Sequence, residues 1–315
     1  MSLSSERKAA IVGAGVSGLT AGIHVYKAGI RPMIFEKAAG VGGMWNSDEK
    51  PCWRSMRTNQ SKFSTALPDF SWPEDAPLFP SQSQVYAHLR NYVRQHLPSD
   101  AVRLNTHVIN VTPKSGHWIV EYRTPENQIS SASFDFVIVA SGFFHQAHLP
   151  ENIITSLSHF PGQWMHSSDY RSPEQVRDKR VLLVGASLSA GEIAADVATS
   201  AARIIHIVSR NFWSFPRYIP LLPSDPASPF LPLDLVLYRR ATRTSKDEIV
   251  LRSAHDYRRL NAFCRGVAGG DQRSFSIAGI NDALPPCLVI SDTYDRCTRS
   301  GRISLQHGRD RKSVV

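Results

Sequence analysis

Glycines near the amino end of the chain have the spacing of a nucleotide-binding turn. The apolar run Ala9–Val12 predicts a buried parallel strand, and the apolar spacing of Leu19–Ala28 predicts a helix. Gly13 would allow a tight turn, Gly15 would let a pyrophosphate approach the backbone, and Gly18 would let the helix pack closely on the strand. We therefore expect the whole connection to cradle a dinucleotide at the positive end of the helix: Gly13-Ala14-Gly15-Val16-Ser17-Gly18.

An acid follows the next predicted strand, Pro32–Phe35. A carboxylate in this place accepts hydrogen bonds from ribose hydroxyls and repels a 2′-phosphate, which favours FAD over NADPH. We therefore assign Glu36 and its neighbour Lys37 to an FAD site. The alternative interpretation of Glu36 is an ordinary acid at the end of a strand.

A second turn follows another buried strand pattern, Arg180–Val184. Two small residues, Ser187 and Ala190, stand where the second and third glycines of the first turn are found. A small hydroxyl residue still permits close approach of a phosphate. The residues that we expect to bind the second cofactor in this segment are Gly185, Ser187, Ser189 and Ala190.

The charge at the end of the following strand is opposite to that in the first turn. The strand pattern Arg203–Val208 ends in Ser209-Arg210, at the place equivalent to Glu36. An arginine can bind a 2′-phosphate through a charge-assisted fork, which an acid cannot do. We therefore expect NADPH here, with Ser209 and Arg210 in its site. The alternative interpretation of Arg210 is a solvated arginine in a loop.

The composition is that of a globular protein with a sizeable core. The chain has 315 residues, of which 42% are hydrophobic and 20% are charged, and this length is enough for two domains. The net charge is +9, but the lysines and arginines are scattered and form no basic helix. We therefore expect no nucleic-acid partner, because a cofactor with several phosphates is sufficient to explain the excess of positive charge.

The cysteines and the amino end limit the function further. Cys52, Cys264, Cys287 and Cys297 form no CxxC pair, and no Cys/His cluster has zinc spacing. We expect free thiols in a reducing compartment, no metal, and no disulfide-reductase chemistry. No hydrophobic signal precedes the first strand and no apolar run could span a bilayer. A cytoplasmic protein without a membrane segment is the expectation.

The remaining patterns predict secondary structure only. A helix is expected over Tyr86–Leu97, and its core face is expected to carry Tyr86, Leu89, Val93 and Leu97. A further helix is expected near Leu251–Leu260. A three-stranded meander is expected over Thr106–Val111, Trp118–Tyr122 and Ser133–Val139.

A string between the two turns matches a longer motif. It reads Phe160-Pro-Gly-Gln-Trp-Met-His-Ser-Ser-Asp-Tyr170. The fixed positions of F-x-G-x-x-x-H-x-x-x-[YFW] are occupied by Phe160, Gly162, His166 and Tyr170. With a dinucleotide turn on either side, the chain resembles the flavin-containing monooxygenases, which carry both FAD and NADPH. The resemblance extends from about residue 8 to about residue 305.

The resemblance implies an α/β fold with two Rossmann-like dinucleotide-binding domains, the second inserted in the first. The FAD-binding domain is expected over residues 1–165, with part of residues 280–315 returning to it. The NADPH-binding domain is expected over residues 166–280. His166 is expected to have a structural or domain-coupling role, in which it satisfies backbone groups and positions the nicotinamide side, rather than to transfer a proton directly.

The resemblance also implies further cofactor contacts. Gly42-Gly43-Met44-Trp45 is similar to the family's GGxW, which implies that Gly43, Met44 and Trp45 lie against FAD; from the residues alone, Trp45 could equally be core. The stretch Asp135–Gly142 is similar to D-x-V-[IV]-x-A-[TS]-G and implies that Gly142 lies near FAD. Val108 lies where such proteins place backbone beside the adenine.

The candidate catalytic residue also comes from the resemblance. Thr58-Asn59 aligns with a Thr-Asn or Ser-Asn pair whose asparagine lies near the flavin C4a edge and the nicotinamide. A neutral amide can donate and accept hydrogen bonds without titrating, so it could hold a flavin C4a-hydroperoxide without supplying the proton that ejects H2O2. We expect Asn59 to be catalytic and Thr58 to contact a cofactor. A turn or cap asparagine is the alternative.

The implied activity is an FAD- and NADPH-dependent monooxygenase. It would insert one oxygen atom from O2 into a soft nitrogen or sulfur nucleophile of a small molecule, by way of the C4a-hydroperoxide. Baeyer–Villiger oxygenation of a ketone is one alternative. A truncated, catalytically idle dinucleotide-binding protein is another, because members of the family continue beyond the place where this chain stops. The sequence leaves the substrate open, and it leaves a homo-oligomer open.

Overall fold

The structure is a computed structural model that describes residues 6–46, 52–144, 146–222, 227–237, 253–267 and 282–308. Contacts between Cα atoms divide the chain into two units. The first unit comprises Met1–Met56, Ala66–Ala76 and Pro80–Tyr170. The second comprises Arg57–Thr65, Pro77–Phe79 and Arg171–Val315. Each unit contains one of the two turns and a parallel sheet.

The first unit combines a parallel sheet with an antiparallel meander. Its elements are β1 Lys8–Val12, α1 Val16–Lys27, β2 Arg31–Phe35, α2 Gln82–His96, β3 Val102–Arg103, β4 His107–Lys114, β5 His117–Arg123, β6 Ile129–Phe134, β7 Phe136–Val139 and α3 Glu151–Ser158. The parallel sheet has the strand order β3-β2-β1-β7, and the meander has the order β4-β5-β6. The crossover from β1 to β2 passes through α1, as a dinucleotide-binding turn requires.

Two apolar clusters hold the first unit together. In one, Ile11, Leu19 and Ile34 are completely buried where α1 and α2 pack against the sheet. In the other, the ring of Phe35 lies 4.9 Å from that of Tyr122, measured between centroids, and joins the sheet to the meander. Alternating apolar residues in β5 and β2 therefore explain why the meander lies against the sheet that carries the first turn.

Helix α2 begins earlier than its apolar spacing predicted. The side chains of Ser81 and Gln84 form a capping box, which fixes the start of the helix just before Gln82. The buried face also differs, because it carries Val85, His88, Leu89 and Tyr92. Leu89 and Leu97 are buried as predicted, and Val93 packs partly buried against the same cluster. Tyr86 is half-buried and lies outside that cluster, so its place on the core face was wrong.

The predicted strand Ser133–Val139 is interrupted at Asp135. The N–H of Asp135 donates to the carbonyl oxygen of Lys8 at 2.9 Å, and its carboxylate accepts from the N–H of Lys8 at 2.7 Å. This pair of bonds moves the chain from the meander to the edge of the parallel sheet. Strand β6 therefore ends at Phe134, and β7 pairs with β1.

The second unit also contains a parallel sheet. Its elements are β8 Arg180–Val184, α4 Leu188–Val197, β9 Arg203–Val208, β10 Trp213–Phe215, β11 Tyr218–Pro220, β12 Phe230–Pro232, α5 Leu233–Leu237, α6 Ala254–Val267, β13 Leu288–Ile290, α7 Tyr294–Arg299 and β14 Ile303–His307. The sheet order β14-β9-β8 is parallel, and β10 pairs in parallel with β13. Its core is formed by Trp213, Phe215, Leu233, Cys264 and Ile290.

The late strands belong to the second unit over the described residues 282–308. We expected part of residues 280–315 to return to the first domain, but here β13 pairs with β10 and β14 pairs with β9. The predicted bounds of β8 and β9 are confirmed. The helix expected near Leu251–Leu260 is found as α6, while residues 251 and 252 lie outside the described residues.

The architecture is therefore mixed α/β with parallel sheets, as the sequence predicted. In the part of the chain that the structure describes, no helix combines the length and the apolar character that crossing a membrane would require.

Candidate functional site

The first glycine turn is tightly closed. Gly13 has a φ of +103°, and a Cβ on it would lie 2.5 Å from the carbonyl oxygen of Ala140. Both the backbone conformation and the lack of space therefore require glycine at this position. A Cβ on Gly18 would lie 1.9 Å from the carbonyl oxygen of Gly13. The N–H of Gly13 donates to the carbonyl oxygen of Phe35 at 2.8 Å. The turn is thereby packed against β7 on one side and bonded to the end of β2 on the other.

The start of α1 is open to a ligand. Gly15 occupies the N-cap position, and none of the described side chains caps the helix there. Val16 and Ser17 are exposed, whereas Ala14 is completely buried. A helix start without a side-chain cap offers its backbone N–H groups and the positive end of its dipole to an anion. This arrangement is suited to the phosphates of a dinucleotide.

Glu36 has a structural role that sequence reasoning missed. It is 5% exposed, and both of its carboxylate oxygens accept backbone hydrogen bonds. The N–H of Ala14 donates to Oε2 at 2.8 Å, and the N–H of Ala38 donates to Oε1 at 2.9 Å. Glu36 therefore holds the glycine turn at the end of β2. Each carboxylate oxygen has a second lone pair, so acceptance of a ribose hydroxyl stays a prediction.

The GGxW segment touches the first turn directly. Gly43 has a φ of +57°, and a Cβ on it would lie 2.8 Å from the Cα of Gly15. Met44 is exposed, while Trp45 packs partly buried against the core of α1 and α2. The core alternative for Trp45 therefore has support from its packing, and contact of Met44 and Trp45 with FAD stays a prediction.

Three other residues predicted for the FAD site have different surroundings in the first unit. Lys37 is exposed beside Glu36. Gly142 is exposed just after β7, with a φ of +83°. Val108 lies in β4 and packs against the core between sheet and meander. Their cofactor contacts stay predictions.

The second turn repeats the backbone arrangement of the first. The N–H of Gly185 donates to the carbonyl oxygen of Ile207, near the end of β9, at 3.0 Å. Gly185 has a φ of +139°, and a Cβ on it would lie 3.6 Å from that of Ala190, so alanine fits in the third position. Ser187 is the N-cap of α4 but, within the described residues, no side chain caps this helix, and Ser187 and Ser189 are both exposed.

A buried histidine supports the second turn. His206 of β9 is completely buried, with Nε2 2.7 Å from the carbonyl oxygen of Gly185 and Nδ1 2.7 Å from the hydroxyl of Tyr294. Burial lowers the pKa of His206 and raises that of Tyr294. A neutral ring satisfies both contacts, because Nε2–H donates to the carbonyl and Nδ1 accepts from the tyrosine hydroxyl.

Arg210 lies beside the same turn. It is exposed at the end of β9 and is hydrogen-bonded to the thiol group of Cys287. The Sγ of Cys287 in turn donates to the carbonyl oxygen of Ala186 at 3.2 Å. Burial is the main cause that raises the pKa of Cys287, and Arg210 opposes it. Cys287 thus links Arg210 with Ala186 of the second turn, a connection that the sequence did not indicate. Contact of Arg210 with a cofactor stays a prediction.

The predicted catalytic residue is bound to a buried arginine. Arg217 is 3% exposed, and its Nη2 donates to Oδ1 of Asn59 at 3.1 Å. Its Nε donates to the carbonyl oxygen of Thr58 at 2.9 Å. Its remaining acceptors are carboxylates: Glu192 accepts from Nη2 at 2.8 Å and Asp292 accepts from Nη1 at 3.1 Å. We call Thr58, Asn59, Glu192, Arg217 and Asp292 the Arg217 cluster. All of its members belong to the second unit.

A second buried acid anchors the segment that carries Asn59. Asp234 of α5 is completely buried and accepts a hydrogen bond from the hydroxyl of Ser61 at 2.8 Å and another from that of Ser64. Neither Asp234 nor Arg217 could be found from the sequence. Their partners lie far away along the chain, and the residues around them carry no motif.

His166 has a local role. Its Nδ1 accepts from the N–H of Ser168 at 3.1 Å and so caps the short 3-10 helix Ser167–Asp169. Tyr170 is buried, whereas Phe160 is half exposed and its ring would obstruct a Cβ on Gly162 at 2.7 Å. The motif residues therefore shape the backbone, in line with the structural role expected for His166.

Two helices begin directly after glycine turns, one beside an acid and the other beside an arginine, and no described side chain caps either of them. This arrangement is typical of dinucleotide-binding proteins. The chain belongs to the flavin-binding monooxygenase-like family, because the sequence model of that family matches residues 6–290.

Several known proteins are similar to this chain. Flavin-containing monooxygenase 1 of Mus musculus is 33% identical over 303 residues, which are 91% of this chain and 56% of the mouse protein. Flavin-containing monooxygenase 5 of Homo sapiens is 30% identical over 224 residues, which are 68% of this chain and 42% of the human protein. The chain thus spans about half the length of the curated relatives that it matches.

Solved structures agree with this assignment. S-allyl-L-cysteine S-oxygenase from Allium sativum has a TM-score of 0.57 at 26% identity, covering 65% of this chain and 51% of the garlic protein. A flavin-containing monooxygenase from Stenotrophomonas maltophilia has a TM-score of 0.55 at 25% identity, covering 65% of this chain and 59% of its own. A steroid monooxygenase bound to NADP covers 95% of this chain with a TM-score of 0.62, but at 18% identity it supports the fold alone.

Proposed function

We propose that this chain binds FAD at the first turn and NADPH at the second, and that it oxygenates a soft nucleophile. The observation that carries the proposal is the opposite charge at equivalent strand ends. In both units the first glycine of the turn donates to a carbonyl near the end of the following strand. Glu36 follows that strand in the first unit, and Ser209-Arg210 follows it in the second.

The residues of the first turn fit FAD. Its phosphates would face the uncapped start of α1, where Gly15 leaves the backbone accessible. A carboxylate at the strand end, here that of Glu36, would repel a 2′-phosphate. We therefore propose that the first unit is the FAD-binding domain and that its site includes the predicted residues from Gly13 to Gly18, with Lys37, Gly43, Met44, Trp45, Val108 and Gly142.

The residues of the second turn fit NADPH. Ser187 and Ser189 present exposed side chains at the start of α4, and the guanidinium of Arg210 is accessible at the strand end. An exposed arginine beside a phosphate cradle is suited to a 2′-phosphate. We propose that the second unit is the NADPH-binding domain.

When bound, NADPH would supply a hydride, and FAD would supply the redox chemistry that activates O2 for transfer of one oxygen atom. The chain's own contribution is to bind, orient and shield. Asn59 is the proposed catalytic residue, because its amide can hydrogen-bond a reacting oxygen without exchanging a proton with it. Thr58 is held in place beside it by the hydrogen bond that its carbonyl oxygen accepts from Nε of Arg217.

The proposed substrate is a small molecule with a nucleophilic sulfur or nitrogen. The support is the similarity to S-allyl-L-cysteine S-oxygenase, whose name states sulfur oxygenation, and to relatives named flavin-containing monooxygenases. The proposed reaction consumes NADPH, a proton and O2, and it yields NADP⁺, water and the oxygenated substrate.

The test is an assay of the purified protein. FAD is added, unbound flavin is removed, and the absorbance of the retained flavin is recorded. NADPH oxidation under air is then followed with a thioether, a tertiary amine and a ketone, and products are identified by mass spectrometry. We expect retained flavin, NADPH-dependent formation of a sulfoxide or N-oxide, and little use of NADH.

Other outcomes would contradict the proposal. Conversion of the ketone to an ester, with the thioether and amine unchanged, would assign Baeyer–Villiger oxygenation instead. A protein that retains no flavin after reconstitution and consumes no NADPH would be a catalytically idle nucleotide-binding protein.

A further inference from the structure

In the Arg217 cluster, a buried and multiply hydrogen-bonded arginine contacts the side-chain amide of Asn59. Arg217 is almost completely buried, and its guanidinium donates to acceptors from three separate parts of the second unit. These parts are the Thr58-Asn59 segment, Glu192 in α4 and Asp292 just after β13. The backbone N–H of Arg217 also donates to Oδ1 of Asp292, at 2.7 Å. The position of the guanidinium is therefore fixed from several sides.

The chemistry of arginine decides which way the amide of Asn59 faces. A guanidinium only donates hydrogen bonds, so the atom that lies 3.1 Å from Nη2 must be the amide oxygen of Asn59 and not its nitrogen. The Nδ2–H2 end therefore faces away from Arg217. Within the described chain, no hydrogen bond from Nδ2 is found, so this donor is available to a ligand.

The cluster also links Asn59 to the second turn. Glu192 lies in α4, whose start is the proposed phosphate cradle, and its carboxylate shares Nη2 of Arg217 with Asn59. Burial raises the pKa of Glu192, while the nearby Arg217 opposes that effect. A single guanidinium nitrogen thus connects the helix of one cofactor site with the proposed catalytic amide.

We propose that Arg217 is a positioning residue that locks Asn59 with its oxygen inward, so that the Nδ2–H2 group is what Asn59 presents to the reacting oxygen. This inference rests on the proposed function of Asn59. Loss of the lock would let the amide rotate and present its oxygen, which cannot donate. Reduction of O2 would then end more often in H2O2, which consumes NADPH, a proton and O2 and leaves the substrate unchanged.

The test compares Arg217→Lys with a matched control, Arg265→Lys. Arg217→Lys keeps the positive charge but cannot serve all four acceptors, because an ammonium has no planar fork. Arg265 is also an ion-paired arginine of the second unit, 3.2 Å from Asp282, and has no contact with Asn59. Glu192→Gln is the second variant, because it keeps an oxygen acceptor for Arg217 and removes only the charge.

The first readout needs neither cofactor nor turnover. Protein labelled with ¹⁵N-asparagine gives side-chain amide signals, and that of Asn59 is identified by its disappearance in Asn59→Asp. We expect this signal to move in Arg217→Lys, to move less in Glu192→Gln, and to stay unchanged in Arg265→Lys. An Asn59 signal that is the same in Arg217→Lys as in the natural chain would overturn the proposal, as would an equal shift in Arg265→Lys.

The second readout is the fate of NADPH in the FAD-loaded protein. We expect the ratio of H2O2 to oxygenated product to rise about tenfold in Arg217→Lys, the scale of one lost charge-assisted hydrogen bond. The dissociation constant of NADP⁺ should change much less, which separates loss of position from loss of binding. An unchanged ratio in a folded, FAD-retaining Arg217→Lys variant would overturn the proposal. If the natural chain forms no oxygenated product at all, the proposed function fails, while the amide signal still decides whether Arg217 sets the orientation.

Discussion

The support of the second turn by His206 gives the sharpest prediction for stability. Replacing His206 with Phe keeps a ring of similar size between Gly185 and Tyr294. It leaves a carbonyl oxygen and a hydroxyl without the partners that now lie 2.7 Å away. His206 is completely buried, so water cannot replace the ring nitrogens without a rearrangement. Each buried polar group without a partner costs about 1–3 kcal/mol, so the free energy of unfolding should fall by about 2–6 kcal/mol.

The same histidine should make stability depend on pH. Burial lowers the pKa of His206 in the folded state below its ordinary value, so the unfolded chain binds a proton more readily than the folded one. The stabilisation is complete above the ordinary histidine pKa of about 6.5 and is lost as the pH falls from there towards the folded-state pKa. His206→Phe should therefore lose stability less steeply between neutral and mildly acidic pH than the natural chain.

Urea unfolding at several pH values measures both effects. The matched control is His88→Phe, because His88 is a buried histidine of the first unit whose pKa burial also lowers. His88→Phe should remove only the part of the pH dependence of unfolding that comes from His88, and it should leave the contacts of the second turn unchanged. Equal stability of His206→Phe and the natural chain at neutral pH, with the same loss on acidification, would refute the role assigned to His206.

Three further predictions concern the two proposed cofactor sites. Arg210→Ser should raise the dissociation constant of NADPH about tenfold and change that of NADH little, because only the 2′-phosphate loses a partner; fluorescence titration measures both. Gly13→Ala should lower the melting temperature far more than Gly29→Ala, because both glycines have a positive φ but a Cβ clashes only at Gly13; equal shifts in calorimetry would contradict the packing. Alkylation of Cys287, followed by mass spectrometry, should be slow because burial raises the pKa of its thiol, and it should be slower still when NADP⁺ is bound. An alkylation rate that NADP⁺ does not change would contradict the second site.

The sequence predicted the elements that depend on neighbouring residues. The strand, turn and helix around Gly13 and Gly185 were predictable, because glycine spacing and apolar runs act over a few residues. The bounds of β8 and β9 follow from the same local pattern. The face of α2 was misjudged, because its start depends on a capping box and its burial on which side the sheet lies.

The contacts that support the candidate site could not be predicted, because they join distant segments. Arg217 meets Asn59 only after the chain has folded, and the same holds for Asp234 with Ser61. The split at Asp135 depends on a bond to Lys8, which no apolar pattern encodes. Local patterns therefore predicted the glycine turns, whose geometry depends on the backbone, but not the residues that hold other side chains in place.

The first glycine turn, and the helix that follows the second, pack against residues that are synthesised much later. Gly13 packs against Ala140 just after β7, and a Cβ on Gly191 of α4 would lie 2.0 Å from the side chain of Val289 in β13. During synthesis, each of these segments therefore leaves the ribosome long before the residues against which it packs. The packing of each segment is complete only when that distant strand has emerged, so we expect contacts of large sequence separation to slow folding. A mutation that slows the docking of β7 or β13 would therefore delay formation of a proposed cofactor site without changing any residue of its turn.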